Sequence, residues 1–119
     1  MISSNELIQS KNRYIQLKSE LEGISVSLKE SVESLAMAAK GINNSYLIDN
    51  ESADYNKISQ LKEENVDILN EIERSKTLID AKIRELESQV KKALAFEAEQ
   101  KRLEAEELAR KREEAKSNG

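Results

Sequence analysis

Apolar residues recur every seven positions in the first part of the chain. One row of large side chains contains Leu7, Tyr14, Leu21, Leu28, Leu35 and Ile42. A second row, three positions further on, contains Leu17, Ile24 and Ala38. Two rows at this spacing predict an α-helix with a coiled-coil-like seam. Ser10 and Ser31 interrupt the second row and Val32, Ala36 and Ala39 widen the stripe, which indicates contact with more than one neighbour.

Local signals predict both ends of this helix. Ser3 and Glu6 have the spacing of a capping box, so we expect the helix to start at about residue 4. Gly41 is placed to adopt a left-handed conformation after the last turn, which predicts an end near Lys40. Asn, Asp and Ser residues are dense over positions 41–54 and predict a turn that also contains the apolar residues 46–48.

A second helix is predicted from about residue 55, with Ser52 or Asp54 as its cap. Its seam residues are again three and four positions apart: Ile58, Leu61, Ile68, Ile72, Ile79, Ile83, Leu86, Val90 and Ala93 or Leu94. Asn65 falls within this stripe. It either fixes the register of the helix pair or is tolerated near the turn, and the sequence leaves both open.

Residues 97–119 form a charged helical tail. Opposite charges four positions apart support the helix at Glu97/Lys101, Glu106/Arg110 and Glu107/Lys111, but the tail has few apolar side chains. The predicted fold is therefore all-α, an elongated antiparallel two-helix hairpin over residues 1–96. Its second helix extends about 30 Å beyond the first. This overhang either docks a partner or is a solvated end.

Composition narrows the function. The 119 residues include no Pro, Cys or His, so thiolate chemistry, Cys-based zinc sites and the commonest metal ligand are excluded. Acidic and basic residues are interspersed with a net charge of −4, which argues against binding nucleic acid. A helical hairpin also offers no obvious pocket for catalysis. We therefore expect a non-enzymatic protein without a cofactor or metal.

The chain has no stretch that approaches a membrane span, and Met1–Glu6 lacks the features of a cleavable secretory signal. We expect it to be made in the cytoplasm without membrane insertion. Thin two-helix structures are rarely stable alone, so another chain should contribute to the core. The candidates are a helical protein partner and a second copy that forms a homo-oligomer.

These features resemble the small helical partners of type VII secretion in Gram-positive bacteria. The acidic hairpin, the polar turn and the long helical tail are similar to the WXG-type hairpin proteins and, more closely, to the helical proteins that accompany LXG-domain toxins. The resemblance implies a chaperone or targeting factor that binds the helical N-terminal domain of the toxin, with or without a second small helical protein. It leaves open whether the chain itself is exported to the extracellular space with the toxin, without a cleaved signal.

Two departures from that pattern concern specific residues. The turn contains no Trp-x-Gly, and the export signal of an aromatic residue followed four positions later by an acid is not met, because Gln100 follows Phe96. Phe96, Gln100 and Leu103 are the candidate targeting residues, and Phe96 is alternatively the last anchor of the seam. A self-associating structural coiled coil is the competing interpretation, and an adaptor or antitoxin-like regulator is a third.

The candidate seam or partner-binding residues are those with the seven-residue recurrence on the two predicted helices: Leu7, Tyr14, Leu21, Leu28, Leu35, Ile58, Leu61, Ile68, Ile72, Ile79 and Leu86.

Overall fold

The described part of the chain consists of two α-helices. The computed structural model describes residues 2–43 and 53–118, and over these residues it contains no strand. Helix α1 comprises Ser4–Asn43 and helix α2 comprises Ala53–Asn118. The prediction of an all-α antiparallel hairpin is confirmed.

Ser3 caps α1 as its sequence predicts. The backbone N–H of Glu6 donates to Ser3 Oγ at 3.2 Å, and the N–H of Leu7 donates to the carbonyl oxygen of Ser3 at 3.1 Å. The Ser3 side chain therefore satisfies one backbone donor that has no partner within the helix, and its carbonyl accepts the first i→i−4 bond of α1.

The predicted end of α1 at Gly41 is wrong. Gly41 lies inside the helix, which runs to Asn43, and no described glycine has a positive φ. Glycine inside a helix costs only about 1 kcal/mol relative to alanine, too little to end a long helix by itself.

Most of the predicted turn, including Tyr46, Leu47, Ile48 and the candidate cap Ser52, lies outside the described residues. Helix α2 begins at Ala53, so Asp54 lies in its first turn and not at the cap position. The predicted division into residues 1–96 and 97–119 stays a prediction.

Contacts group the chain into two compact units, and the helices are antiparallel within each. Tyr14–Ala81 forms one unit, and Met1–Arg13 with Lys82–Gly119 forms the other. In the Tyr14–Ala81 unit, three side-chain contacts join the helices: Lys18–Asp80 at 2.8 Å, Ser25–Glu73 at 3.4 Å and Ser31–Asn65 at 3.0 Å. The residue number increases along α1 as that of its partner on α2 decreases, which shows that the helices run in opposite directions.

Two rows of α1 pack against α2. The first is the predicted row, here called the leucine row, in which Leu7 is buried and Tyr14, Leu21, Leu28 and Leu35 are half-buried. The other, the polar row, lies four positions after it: Ser4 and Ser25 are buried, and Lys11, Lys18, Val32 and Ala39 are half-buried. Positions alternating by three and four form one seam along a helix.

The predicted second row of α1 is therefore not part of this seam, and that prediction is wrong. Leu17 and Ile24 are 43% and 50% exposed, and Ala38 is also exposed. On α2, Ile72, Ile79, Leu86 and Ala93 are buried and Ile58 is half-buried, but Leu61 and Ile68 are 43% and 46% exposed. The row that lies against α2 together with the leucine row is the polar row and not the apolar one.

Candidate partner-binding surface

Four of the exposed large aliphatic side chains of the Tyr14–Ala81 unit lie on one flank of the seam between its helices. We call them the open face: Leu17 and Ile24 on α1, and Leu61 and Ile68 on α2. In each pair the two residues are seven positions apart, so they lie on the same side of their helix.

The two pairs lie on the same side of the helix pair. Leu17 and Ile24 each follow a leucine-row residue by three positions, and Ile68 follows the seam residue Asn65 by the same interval. They therefore occupy the same position relative to the seam on both helices. When two antiparallel helices pack through the same positions, the equivalent flanking positions meet on one side. The four residues of the open face thus lie on one side of the helix pair, the α1 pair nearer the Lys18–Asp80 contact and the α2 pair nearer the Ser31–Asn65 contact.

The two flanks of the seam differ in charge. The seven-residue rows on the open-face flank contain one charged residue within the unit, Asp54 at the start of α2. Their other members are Leu17, Ile24, Ser31 and Ala38 on α1, and Leu61, Ile68 and Ser75 on α2. The rows on the other flank contain four charged residues: Glu22 and Lys29 on α1, and Glu73 and Asp80 on α2. Water solvates the more highly charged flank readily. The open-face flank, with few charges and several exposed aliphatic residues, is typical of a surface that contacts protein.

A polar pair lies beside the open face. Asn65 Nδ2 donates a hydrogen bond to Ser31 Oγ at 3.0 Å, and both residues are half-buried. This contact is specific to one alignment of the two helices, because a shift along the seam would place Asn65 against apolar side chains. Of the two interpretations of Asn65, the contact favours the one in which it fixes register.

Part of the seam beneath the open face is polar. Ser25 is 2% exposed, and its hydroxyl is 3.4 Å from Glu73 Oε1. Lys18 lies in the same polar row and reaches Asp80 at 2.8 Å, with about a third of each side chain exposed. Exposed ion pairs of this kind contribute about 0–1 kcal/mol. The helix pair therefore depends mainly on the leucine row and on the aliphatic residues of α2.

A carboxylate from α2 caps the start of α1 in the other unit. The backbone N–H of Ser4 donates to Glu97 Oε1 at 3.0 Å, and the Ser4 hydroxyl donates to Glu97 Oε2 at 2.6 Å. Hydrogen bonds from the Ser4 side chain and then from its backbone lower the pKa of Glu97. The negative charge also lies at the positive end of the α1 dipole. Sequence reasoning assigned Glu97 only to an ion pair within the tail.

The candidate targeting residues lie together on one side of α2. Phe96, Gln100 and Leu103 are spaced four and three positions apart, and all three are exposed. Phe96 is 48% exposed, so it is not a buried anchor of the seam. Every residue from Ala98 to Asn118 is exposed, and these residues continue the helix beyond the level at which Glu97 meets Ser4.

Ion pairs within the tail support its helix. Glu107 pairs with Lys111 at 3.5 Å as predicted, whereas Glu106 pairs with Arg102, which also contacts Glu99. The tail is helical because of these local pairs and its composition, since no other element covers it within its unit.

Residues 2–43 and 53–118 contain no group of His, Cys, Asp or Glu side chains that could hold a metal ion. No helix in these ranges is long and apolar enough to cross a membrane. Near the start of α1 lies a depression of about 250 Å³, lined by Ile2, Leu7, Gln89, Lys92 and Ala93.

Comparison with known proteins gives no match: no family model, no curated protein and no solved structure matches the chain.

Proposed function

We propose that this protein is a non-enzymatic helix-binding protein. It pairs with the helical domain of an exported toxin and acts as its chaperone or targeting factor in type VII secretion. The observation that supports binding is the open face, on which the exposed aliphatic residues Leu17, Ile24, Leu61 and Ile68 follow one side of the helix pair. Covering such residues with a further helix would remove apolar area from water at about 25 cal/mol per Å².

The partner is proposed to be helical because the rows of the open face have helical spacing on both helices. A third helix in the groove between α1 and α2 would contact both pairs and the exposed side of the leucine row, as in a three- or four-helix bundle. The choice of a toxin and of type VII secretion is supported by the resemblance of the hairpin, its polar turn and its long tail to partners of LXG-domain toxins.

Export of the partner tests this function. Deleting the gene should lower the amount of the neighbouring toxin outside the cell, and the wild-type gene should restore it. The Phe96→Ala variant should still co-purify with the toxin domain, because Phe96 lies outside the open face. It should restore export less well, because Phe96 is a candidate targeting residue. Unchanged export after deletion would contradict the targeting role, and a stable homo-oligomer that ignores the toxin would favour the structural coiled coil.

A further inference from the structure

We infer that the helix bound at the open face belongs to another protein and has Lys or Arg residues flanking its apolar seam. This inference deepens the proposed function and rests on it, since it gives the chemistry of the partner. Three features support it: the carboxylates around the four open-face residues, the open groove beside Ile24, and the repulsion between carboxylates that a second copy would introduce.

Carboxylates surround the centre of the open face. Residues three or four positions away on a helix are the surface neighbours of a given side chain. By this rule Glu20 neighbours both open-face residues of α1, Glu64 neighbours both on α2, and Glu71 neighbours Ile68. Arg13 and Lys57 are the basic neighbours, and they precede Leu17 and Leu61 at opposite ends of the surface.

These three carboxylates are accessible to a partner. All three residues are exposed, and none of the ion pairs among the described residues includes them. Glu64 accepts a hydrogen bond from Gln60 at 3.4 Å, a long contact that leaves its negative charge uncompensated. A helix over the aliphatic centre would place its own flanking residues beside them.

A shallow groove on α1 shows where one such flank would lie. It is lined by Glu20, Gly23, Ile24, Ser27 and Leu28 and has a volume of about 520 Å³. A Cβ atom at Gly23 would meet nothing within 4 Å, so the space beside Ile24 is open to a long side chain. A Lys or Arg could pack its aliphatic stem there with its charge towards Glu20.

A second copy fits this surface poorly. Two open faces packed centre to centre would bring Glu20, Glu64 and Glu71 of both copies into one interface, with the basic residues only at its ends. Like charges facing each other across an interface lower affinity, and opposite charges raise both affinity and association rate. Charge complementarity therefore selects a partner with basic flanks.

The test uses the full chain and two synthetic helical peptides with the same Leu/Ile seam. One has Lys and the other Glu at the flanking positions, and both are used at concentrations at which each peptide alone sediments as a monomer. Affinities are measured by fluorescence anisotropy at low and high salt. The Lys peptide should bind at least about tenfold more tightly at low salt, and the difference should shrink as salt screens the charges.

Matched charge reversals locate the effect. The Glu64→Lys/Glu71→Lys variant should lose or reverse the preference. The Glu33→Lys/Glu63→Lys variant should retain it, because neither of those exposed residues neighbours the open face and the change in net charge is the same. A preference that persists after the first pair of substitutions, equal binding of both peptides, or binding of neither would overturn the inference.

Two results separate this inference from the proposed function. If the Glu64→Lys/Glu71→Lys variant binds the natural partner as the wild type does, the inference fails and the proposed function stands. If the wild-type chain alone is a dimer that Ile24→Asp converts to monomers, the occupant is a second copy and both fail.

Discussion

At the scale of single residues, Glu97 has a structural role that its local sequence does not indicate. Ser4 and Glu97 are 93 positions apart, so no spacing rule connects them, and the ion pair expected with Lys101 is the obvious local assignment. The contact forms because α2 extends past the start of α1, where the unpaired N–H groups of the first turn attract a carboxylate.

This contact predicts a dependence of stability on pH. Because the folded state lowers the pKa of Glu97, the carboxylate stabilises the fold above its unfolded pKa, and this contribution disappears as the pH falls through the folded pKa. We expect the midpoint of thermal unfolding of Glu97→Gln to be lower than that of the wild type at neutral pH and to converge with it in acid. NMR titration of the Glu97 carboxyl should give a pKa below the ordinary value of a glutamate, and an unshifted value would contradict the cap.

At the scale of the helices, periodicity identifies the leucine row but not its companion. The row three positions after the leucines contains Leu17 and Ile24, whereas the row four positions after them contains Lys18 and Ser25. Hydrophobicity favours the former. In the structure the row with Lys18 and Ser25 packs against α2, because serine permits close approach of the two helices and the lysine side chain reaches Asp80. A stripe wider than one seam serves two neighbours, and sequence alone does not say which neighbour takes which row.

Stability measurements distinguish the two assignments on α2. Ile79 is 8% exposed and Ile68 is 46% exposed, although both belong to the predicted seam. We expect Ile79→Ala to lower the free energy of unfolding of the chain by about 2–4 kcal/mol, the cost of removing a buried aliphatic side chain. Ile68→Ala should cost below about 1 kcal/mol because alanine favours helix and little packing is lost. Equal losses in chemical denaturation would contradict the seam described here.

At the scale of the whole molecule, the sequence predicts an antiparallel helical hairpin that lacks the core of an independent domain. The seam it forms is partly polar, and the flank with fewer charged residues carries exposed aliphatic residues from both helices. These two properties are related, because a chain that supplied all its apolar rows to its own seam would have none left for a partner. The sequence alone predicts that another chain contributes to the core. It does not predict where the open face lies, because that position depends on the register between α1 and α2.

The most direct test of this account is the mass of the chain by light scattering, alone and co-expressed with the product of each neighbouring gene. The wild type should form one complex of defined stoichiometry with a helical neighbour. The Leu17→Asp/Ile24→Asp variant should remain helical but form no complex, since it places charges on the open face. The Ile15→Asp/Val26→Asp variant, which changes equally exposed aliphatic residues of α1 outside the open face, should bind as the wild type does. A complex that survives the first substitution, or is lost equally in both, would contradict the open face as the binding surface.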